Sequence, residues 1–254
     1  MRRTLFVGNW KAHFTVPEAE QYFLDLPQYS GKWEHEVVLT PPFTLMQTAQ
    51  RMLPPNVKLG AQDVSHQGIG HHCGEIPCGL LTPFGVKYAI VGHVERRVMG
   101  EQNDRINKKL KNCLANGITP ILCVGEDLRE YEANRTKEVI EKQLQECLVG
   151  VSDYTKIVVA YQPIWTIGTG FYASSELCCM IANTIRKAVQ KLGGNAMAGN
   201  FPILYAGGIT VMNARQYLET MDIDGLMVGP TSLQAKTFSD IVTTSFKAPK
   251  HNQE

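Results

Sequence analysis

Polar side chains follow several of the short apolar runs in this 254-residue chain. Asn9 and Lys11 follow the first run, and Gln162 ends an apolar, β-branched run in the second half. A single lysine beside glycine-rich segments suits a phosphate, because it supplies a point charge while glycines let backbone N–H groups approach the oxygens. The segment 166–170, which contains Gly168, has the composition of a mobile loop. A strand end, a loop and a following helix together make the layout of an α/β active site.

Eight apolar runs alternate with helical segments, and each strand–helix unit spans roughly 30 residues. This count predicts an α/β fold, a single (β/α)₈ TIM barrel that forms one domain over residues 1–254. A doubly wound open sheet is the alternative, and the even spacing favours the barrel. The runs predict strands at 5–7, 37–39, 57–61, 88–91, 118–124, 157–160, 203–205 and 225–228. Periodicity and breakers predict helices at 15–26, 45–52, 79–84, 104–116, 136–148, 174–192, 213–220 and 239–246.

Local signals mark the ends of four of these helices. Thr15 with Glu18 three residues later reads as a capping box. Asn213 is expected to be an N-cap, and Gly117 is expected to end a helix at the C′ position. The glycine pair at 193–194 closes the long helix that begins near 174.

Residues far apart in the sequence converge in a barrel, because the carboxyl ends of all its strands line one opening. We call this opening the mouth. The side chains and glycines expected there are Asn9, Lys11, His93, Glu95, Glu126, Gln162, Gly208 and Gly229.

The composition of the chain indicates which classes of binding partner to expect. The formal net charge is +1, and 44% of residues are hydrophobic and 19% charged. These values are ordinary for a globular protein and predict neither a nucleic-acid nor a membrane partner. No run approaches the length of a membrane span, and the short apolar run near the N-terminus does not predict a signal peptide.

Seven cysteines without a C-x-x-C pair predict free thiols and therefore a cytoplasmic, reducing location. Cys123 is expected to pack in the core, as is at least one of Cys178 and Cys179. The run at 71–73 with Cys78 fits no standard zinc spacing, so we expect no metal.

Five motifs together resemble the triosephosphate isomerase family over nearly the whole chain. They are GNWK at 8–11, IVGHVERR at 90–97, CVGE at 123–126, AYQPIWTIGTG at 160–170 and GLMVG at 225–229. The resemblance implies a homodimeric barrel of glycolysis and gluconeogenesis. Such an enzyme interconverts dihydroxyacetone phosphate and glyceraldehyde 3-phosphate, which are small phosphorylated sugars, without a cofactor.

The resemblance also implies roles for individual residues. Asn9 and Lys11 would hold the substrate, with Lys11 offsetting the phosphate and enediolate charge. His93 would be the neutral electrophile known for this family, and Glu95 would lie beside Lys11. The segment 165–174 would be the lid that excludes water. Glycines of the lid and of the strand ends, Gly168, Gly208 and Gly229, would bind the phosphate.

Two departures from the family pattern affect the reacting groups. Gln162 stands where the family has its catalytic glutamate, and an amide has no useful basicity. Losing a positioned general base typically costs ~10²–10⁴-fold in rate. Val94 stands where the family has a serine, so a hydroxyl beside the reacting groups is absent.

Three further departures concern phosphate binding and assembly. Gly208 replaces a serine and so removes a hydroxyl. Pro230 replaces a glycine, which either removes a phosphate donor or simply occupies a first helical turn where proline is favoured. Cys73 replaces a threonine in the loop that begins at Gln62 and ends at Ile76. That loop would still form the homodimer interface, because Glu75 is retained.

The sequence thus supports more than one hypothesis about function. The first is the isomerase, and if Gln162 is not the base then Glu95 and His93 are the nearest groups that could take the proton. The alternative is a silent paralogue that binds a phosphorylated metabolite or a protein partner. A third is an isomerase for another sugar phosphate, with room provided by Val94 and Gly208. Glu126 and Arg96 are expected to be structural ion-pair residues.

Overall fold

The computed structural model describes residues 3–193 and 201–244. Its eight strands run parallel in sequence order and close into a barrel, because the first strand pairs with the last. The strands are β1 (Leu5–Asn9), β2 (Glu36–Thr40), β3 (Val57–Ala61), β4 (Tyr88–Val91), β5 (Thr119–Val124), β6 (Val158–Tyr161), β7 (Ile203–Tyr205) and β8 (Gly225–Val228). The barrel prediction is confirmed, and the open-sheet alternative is wrong.

Alternate residues of the strands enter two different cores. Leu5, Val7, Ile90 and Val158 belong to the cluster that fills the barrel interior. Their neighbours along the strands, such as Phe6, belong to the larger cluster between barrel and helices. Both faces are therefore apolar, which explains why these strands read as continuous hydrophobic runs.

Helices cover the outside of the barrel, and each predicted helix appears with ends shifted by a few residues. The described helices are α1 (Val16–Asp25), α2 (Pro27–Ser30), α3 (Met46–Met52), α4 (Cys78–Leu81), α5 (Val94–Val98), α6 (Asn103–Ala115), α7 (Leu128–Glu132), α8 (Thr136–Cys147), α9 (Ser175–Gly193), α10 (Ala214–Leu218) and α11 (Ala235–Thr244). No helix of these ranges is long and apolar enough to cross a membrane. Gly194 and the predicted helix end at Phe246 lie outside the described residues.

Three short helices, α2, α5 and α7, were not predicted. Their length gives little periodicity to detect, although α7 carries a capping box in which the Glu130 N–H donates to Asp127 at 2.8 Å. The helix α5 begins directly after His93, so a short helical turn orients the residues that follow β4.

Two of the predicted caps are confirmed, and the third, Asn213, occupies the N-cap position without a capping hydrogen bond. The Glu18 carboxylate accepts the Thr15 N–H at 2.7 Å. Gly117 adopts φ +69°, the left-handed conformation expected of a C′ glycine. The Asn213 side chain does not cap α10. Its Oδ1 instead accepts the Thr210 N–H at 2.8 Å, and its Nδ2 donates to the Gly208 carbonyl at 2.9 Å.

Cysteine burial follows the expectation. Cys123 lies in the barrel interior, Cys178 is fully buried in α9 and Cys179 is partly buried. All seven cysteines are free thiols. Cys78 and Cys113 lie close together, with their sulfur atoms 3.9 Å apart.

The first prediction tests the barrel closure. A Cβ added at Gly225 would overlap the Leu5 carbonyl, where β8 meets β1. We expect Gly225→Ala to lower the free energy of unfolding by about 2 kcal/mol or more, because backbone atoms cannot move aside cheaply. Urea unfolding measures this change.

The matched control is Gly31→Ala. Gly31 has φ −59°, and a Cβ there would meet nothing closer than a backbone oxygen at 3.9 Å. Alanine should leave stability unchanged or raise it by about 0.5 kcal/mol. Equal effects of the two substitutions would contradict the close approach of β8 to β1.

Candidate active site

One cavity of about 720 Å³ opens at the mouth of the barrel. All eight residues predicted as catalytic or substrate-binding line it, although they come from five different strand ends and from the lid. They are Asn9, Lys11, His93, Glu95, Gln162, Gly168, Gly208 and Gly229. Glu126 was also expected at the mouth, but it is buried beneath the lid and does not line this cavity.

Lys11 reaches the cavity from a strained backbone. Its φ of +52° is unusual for a residue with a side chain. Two hydrogen bonds hold it: its N–H donates to Asn9 Oδ1 at 3.1 Å, and Gln62 Nε2 donates to its carbonyl at 2.7 Å. Gln62 was not predicted as a site residue. It directly follows β3, and the expectation that residues after each strand line the mouth would therefore have identified it.

The ammonium of Lys11 forms an ion pair with Glu95. Its Nζ lies 2.5 Å from Glu95 Oε1. Burial raises the pKa of Glu95, but the hydrogen bond from Lys11 and the nearby charges outweigh burial and hold that pKa below its usual range. Glu95 is therefore an ionised, paired carboxylate and a weak base.

The imidazole of His93 is buried and neutral. Burial, opposed by Glu95 and reinforced by Lys11, lowers its pKa to about 4. The Glu95 N–H lies 3.2 Å from His93 Nδ1, at the start of α5. A buried neutral imidazole can donate a hydrogen bond to a substrate oxygen without carrying charge.

Gln162 occupies the floor of the same cavity, where β6 ends. Its backbone N–H continues the pairing with β5 by donating to the Val124 carbonyl at 2.7 Å. Its side-chain Oε1 accepts the Val94 N–H at 3.0 Å, and its Nε2 lies 2.9 Å from His93 Nε2. The amide is thus fixed beside His93 in the cavity.

Hydrogen bonds to two buried side chains hold the ends of the lid: the Glu126 carboxylate at its start and the Tyr205 hydroxyl at its end. Trp165 Nε1 donates to Glu126 Oε1 at 2.9 Å, and the Tyr161 hydroxyl donates to the same oxygen at 3.0 Å. At the other end, the Ala173 N–H donates to the Tyr205 hydroxyl at 3.1 Å. Both ends of the lid are therefore anchored to the barrel.

The prediction of an ion pair at Glu126 is wrong. Its partners among the described residues are Tyr161 and Trp165, and burial raises its pKa. The sequence could not show this, because the partners lie 35 and 39 residues away. Arg96 does form the expected ion pair, with Asp63 at 3.2 Å.

Gly208 allows the lid to approach β7. A Cβ at this position would lie 2.7 Å from the Phe171 carbonyl of the lid. A serine would therefore collide with the lid backbone in this conformation. The substitution from the family pattern removes a hydroxyl, and it also removes this collision.

Pro230 occupies the first turn of a 3₁₀ helix, Pro230–Leu233, which follows Gly229. Proline is favoured at that position because its missing N–H has no helical partner there. Gly229 lies against the stem of Lys11, since an added Cβ would be 3.8 Å from Lys11 Cε. Gly229 and Lys11 thus line the same part of the cavity.

Comparison with known proteins agrees with these motifs. The sequence model of the triosephosphate isomerase family matches residues 4–245. The triosephosphate isomerase of Aquifex aeolicus is 41% identical, over 94% of this chain and 98% of that protein. Those of Dictyoglomus thermophilum and Thermoanaerobacter pseudethanolicus are each 38% identical, over 95% of this chain and 99% of the relative.

The second prediction concerns the charge of His93. With a folded pKa of about 4, its ring should stay neutral as the pH falls from 8 to 5, and NMR of the ring protons measures this. The unfolded chain protonates it near pH 6.5. The unfolded state therefore binds more protons between pH 6.5 and 4, so stability should fall by about 2 kcal/mol from pH 6.5 to 5.

His93→Gln is the control, because it removes this proton uptake and should flatten that part of the stability profile. A His93 ring that becomes charged near pH 6.5 in the folded protein would contradict the burial argument.

The third prediction tests the contact between Gly208 and the lid. We expect Gly208→Ser to destabilise the anchored lid by about 1–3 kcal/mol. Chymotrypsin should then cut after Phe171 or Tyr172 about 5- to 150-fold faster, since cleavage follows the population of the open segment. Thr210→Ser, on the exposed part of the same loop, should leave the cleavage rate unchanged. An unchanged rate in Gly208→Ser would show that the lid tolerates the hydroxyl.

Proposed function

The chain belongs to the triosephosphate isomerase family, and we propose that its barrel mouth interconverts dihydroxyacetone phosphate and glyceraldehyde 3-phosphate. The reaction moves a proton between two carbons through an enediolate. The observation that carries the proposal is the convergence of Asn9, Lys11 and neutral His93 on one cavity. A cation and a neutral donor beside a glycine-lined cavity suit a small phosphorylated carbonyl compound.

Binding of the substrate is divided between two sides of the cavity. Backbone N–H groups of Gly208 and Gly229 would hold the phosphate, with Gly168 closing over it from the lid. Lys11 would supply positive charge, and Asn9 would donate from its NH₂ group, because its Oδ1 already accepts from Lys11. Lid anchoring at Trp165 would keep water from the enediolate.

Proton transfer would involve two positions, His93 and residue 162, where the family has its base. The His93 ring would donate to the carbonyl oxygen and stabilise the negative charge that develops there. Gln162 stands where the proton from carbon must be received, and an amide cannot receive it. The nearest carboxylate in the cavity is Glu95, whose pKa is low because Lys11 holds it. We therefore propose that turnover is slow and limited by this step.

The contacts of Gln162 favour a second candidate function, binding without turnover. Its amide fits between Val94 and His93 with ordinary distances of 3.0 and 2.9 Å. The cavity is thus formed but lacks a base, as in a receptor for a phosphorylated metabolite. A partner-binding role without a metabolite has no such support in the cavity.

Assembly and location are further parts of the proposal. A homodimer through the loop from Gln62 to Ile76 is supported by apolar side chains that are exposed to solvent in the single chain. Ile69 is 70% exposed, and Val98 and Met99 are exposed to a similar degree. A cytosolic location is supported by the seven free thiols.

The fourth prediction restores the base. Gln162→Glu should raise kcat in a coupled isomerase assay by about 10²–10⁴-fold, the usual contribution of a positioned general base. The control is the same change together with Lys11→Met, which should lose the gain because the substrate charge is no longer balanced. Wild-type activity equal to that of Gln162→Glu would contradict the assignment of the base position.

A further inference from the structure

Two buried cysteines face each other in the core between the barrel and its helices. Cys78 begins α4, Cys113 lies in the last turn of α6, and their sulfur atoms are 3.9 Å apart. Cys78 is 2% exposed, and Cys113 is fully buried. Since 35 positions separate them in the sequence, it is the fold that brings the two thiols together. Neither side chain lines the cavity at the mouth.

The two thiols are poised for different parts in a redox reaction. The hydrogen bond between them favours the thiolate at Cys78, because it lowers the pKa of Cys78 and raises that of Cys113. A thiolate is the form of cysteine that reacts with oxidants, and a neighbouring thiol then converts the product into a disulfide. A covalent bond needs the sulfur atoms to approach by roughly 2 Å, which side-chain rotation can supply.

The helices that carry these cysteines both contact the loop 62–76. A Cβ added at Gly79 of α4 would lie 3.0 Å from Ile69 Cδ1 of the loop. From α6, Asn112 Nδ2 donates to the Ser65 carbonyl of the loop at 3.4 Å. A covalent bond between the two helices would therefore fix the end of the loop next to α4.

We propose that Cys78 and Cys113 form a peroxide-sensitive dithiol site, whose disulfide joins α4 to α6 and fixes the adjoining end of the loop 62–76. The site is independent of the proposed function, since it lies outside the cavity at the mouth. A small neutral oxidant suits it, because the sulfur atoms are reached only when the packing opens locally.

The reaction consumes one hydrogen peroxide for each disulfide. The Cys78 thiolate attacks one peroxide oxygen, the O–O bond breaks and hydroxide leaves, so the sulfur becomes a sulfenic acid. The Cys113 sulfur then attacks the Cys78 sulfur, the S–O bond breaks, and water leaves with the Cys113 proton. Two thiols lose two electrons, and the peroxide is reduced to two waters. A dithiol reductant reverses the change by thiol–disulfide exchange.

Thiol counting and peptide mapping on the full chain test the site. A small excess of hydrogen peroxide should remove two of the seven free thiols, and dithiothreitol should restore them. Digestion with trypsin and a protease that cuts after glutamate separates Cys73 from Cys78, because Glu75 lies between them. The non-reduced digest should contain the Cys78 peptide joined to the Cys113 peptide.

Two variants identify the second sulfur. Cys113→Ala removes the thiol that completes the disulfide, so oxidation should stop at the Cys78 sulfenic acid, which dimedone traps when the chain is unfolded in its presence. Cys123→Ala is the matched control, because Cys123 is also buried and lies on the same peptide as Cys113. This control should form the disulfide as the wild type does.

Urea unfolding and hydrogen exchange measure the effect of the bond on the fold. Cross-linking residues 35 positions apart lowers the entropy of the unfolded chain. The unfolding equilibrium constant of the wild type should therefore fall about 30- to 1,000-fold on oxidation. Amide exchange in α4 should slow at least about tenfold, because this short helix can no longer open separately from α6. Neither change should occur in Cys113→Ala.

Three results would overturn the proposal. Peroxide could leave all seven thiols free, or it could join Cys78 to a residue other than Cys113. The same loss of two thiols in Cys113→Ala would show that this residue is not the partner. A disulfide between the two residues that raises the unfolding equilibrium constant would show that the native fold does not accommodate the bond.

Discussion

Pairing of the first strand with the last is the constraint on which the rest of the molecule depends. It brings Leu5 against Gly225, where only a glycine fits. The same closure carries Asn9 and Lys11 across the mouth to the residues that follow β4 and β6. Without it, Lys11, which follows β1, and Gly229, which follows β8, would belong to opposite edges of an open sheet. The chemistry of the mouth is therefore a consequence of the closed hydrogen-bonding ladder.

Burial and ion pairing together decide the charges at this mouth. Burial lowers the pKa of His93 to about 4, and the ion pair with Lys11 keeps Glu95 ionised. Around His93 the donors outnumber the acceptors, which is the environment that a carboxylate at 162 would satisfy. Gln162 keeps the shape of such a group and removes its charge and basicity. The cavity therefore stays suited to an anion while the proton acceptor is missing.

The lid packs closely against the end of strand β7. Tyr205 anchors the Ala173 end of the lid, and Gly208 leaves space for the Phe171 carbonyl. The hydroxyl that the family pattern has at 208 would not fit with this lid conformation. The substitution at 208, which looks like a simple loss of a hydroxyl in the sequence, is thus part of a close contact with the lid in the structure.

The positions of the eight strands could be predicted from the sequence alone, because strands buried on both faces appear as continuous apolar runs. The sequence also determined the set of strand-end residues, since a barrel places every strand end at one mouth. Tertiary structure alone decided what depends on distances between remote residues. Examples are the orientation of the Gln162 amide by Val94, the role of Glu126 beneath the lid and the use of Asn213 to hold Gly208. Hydrogen-bond partners separated by tens of residues leave no local pattern, so only the folded chain could show them.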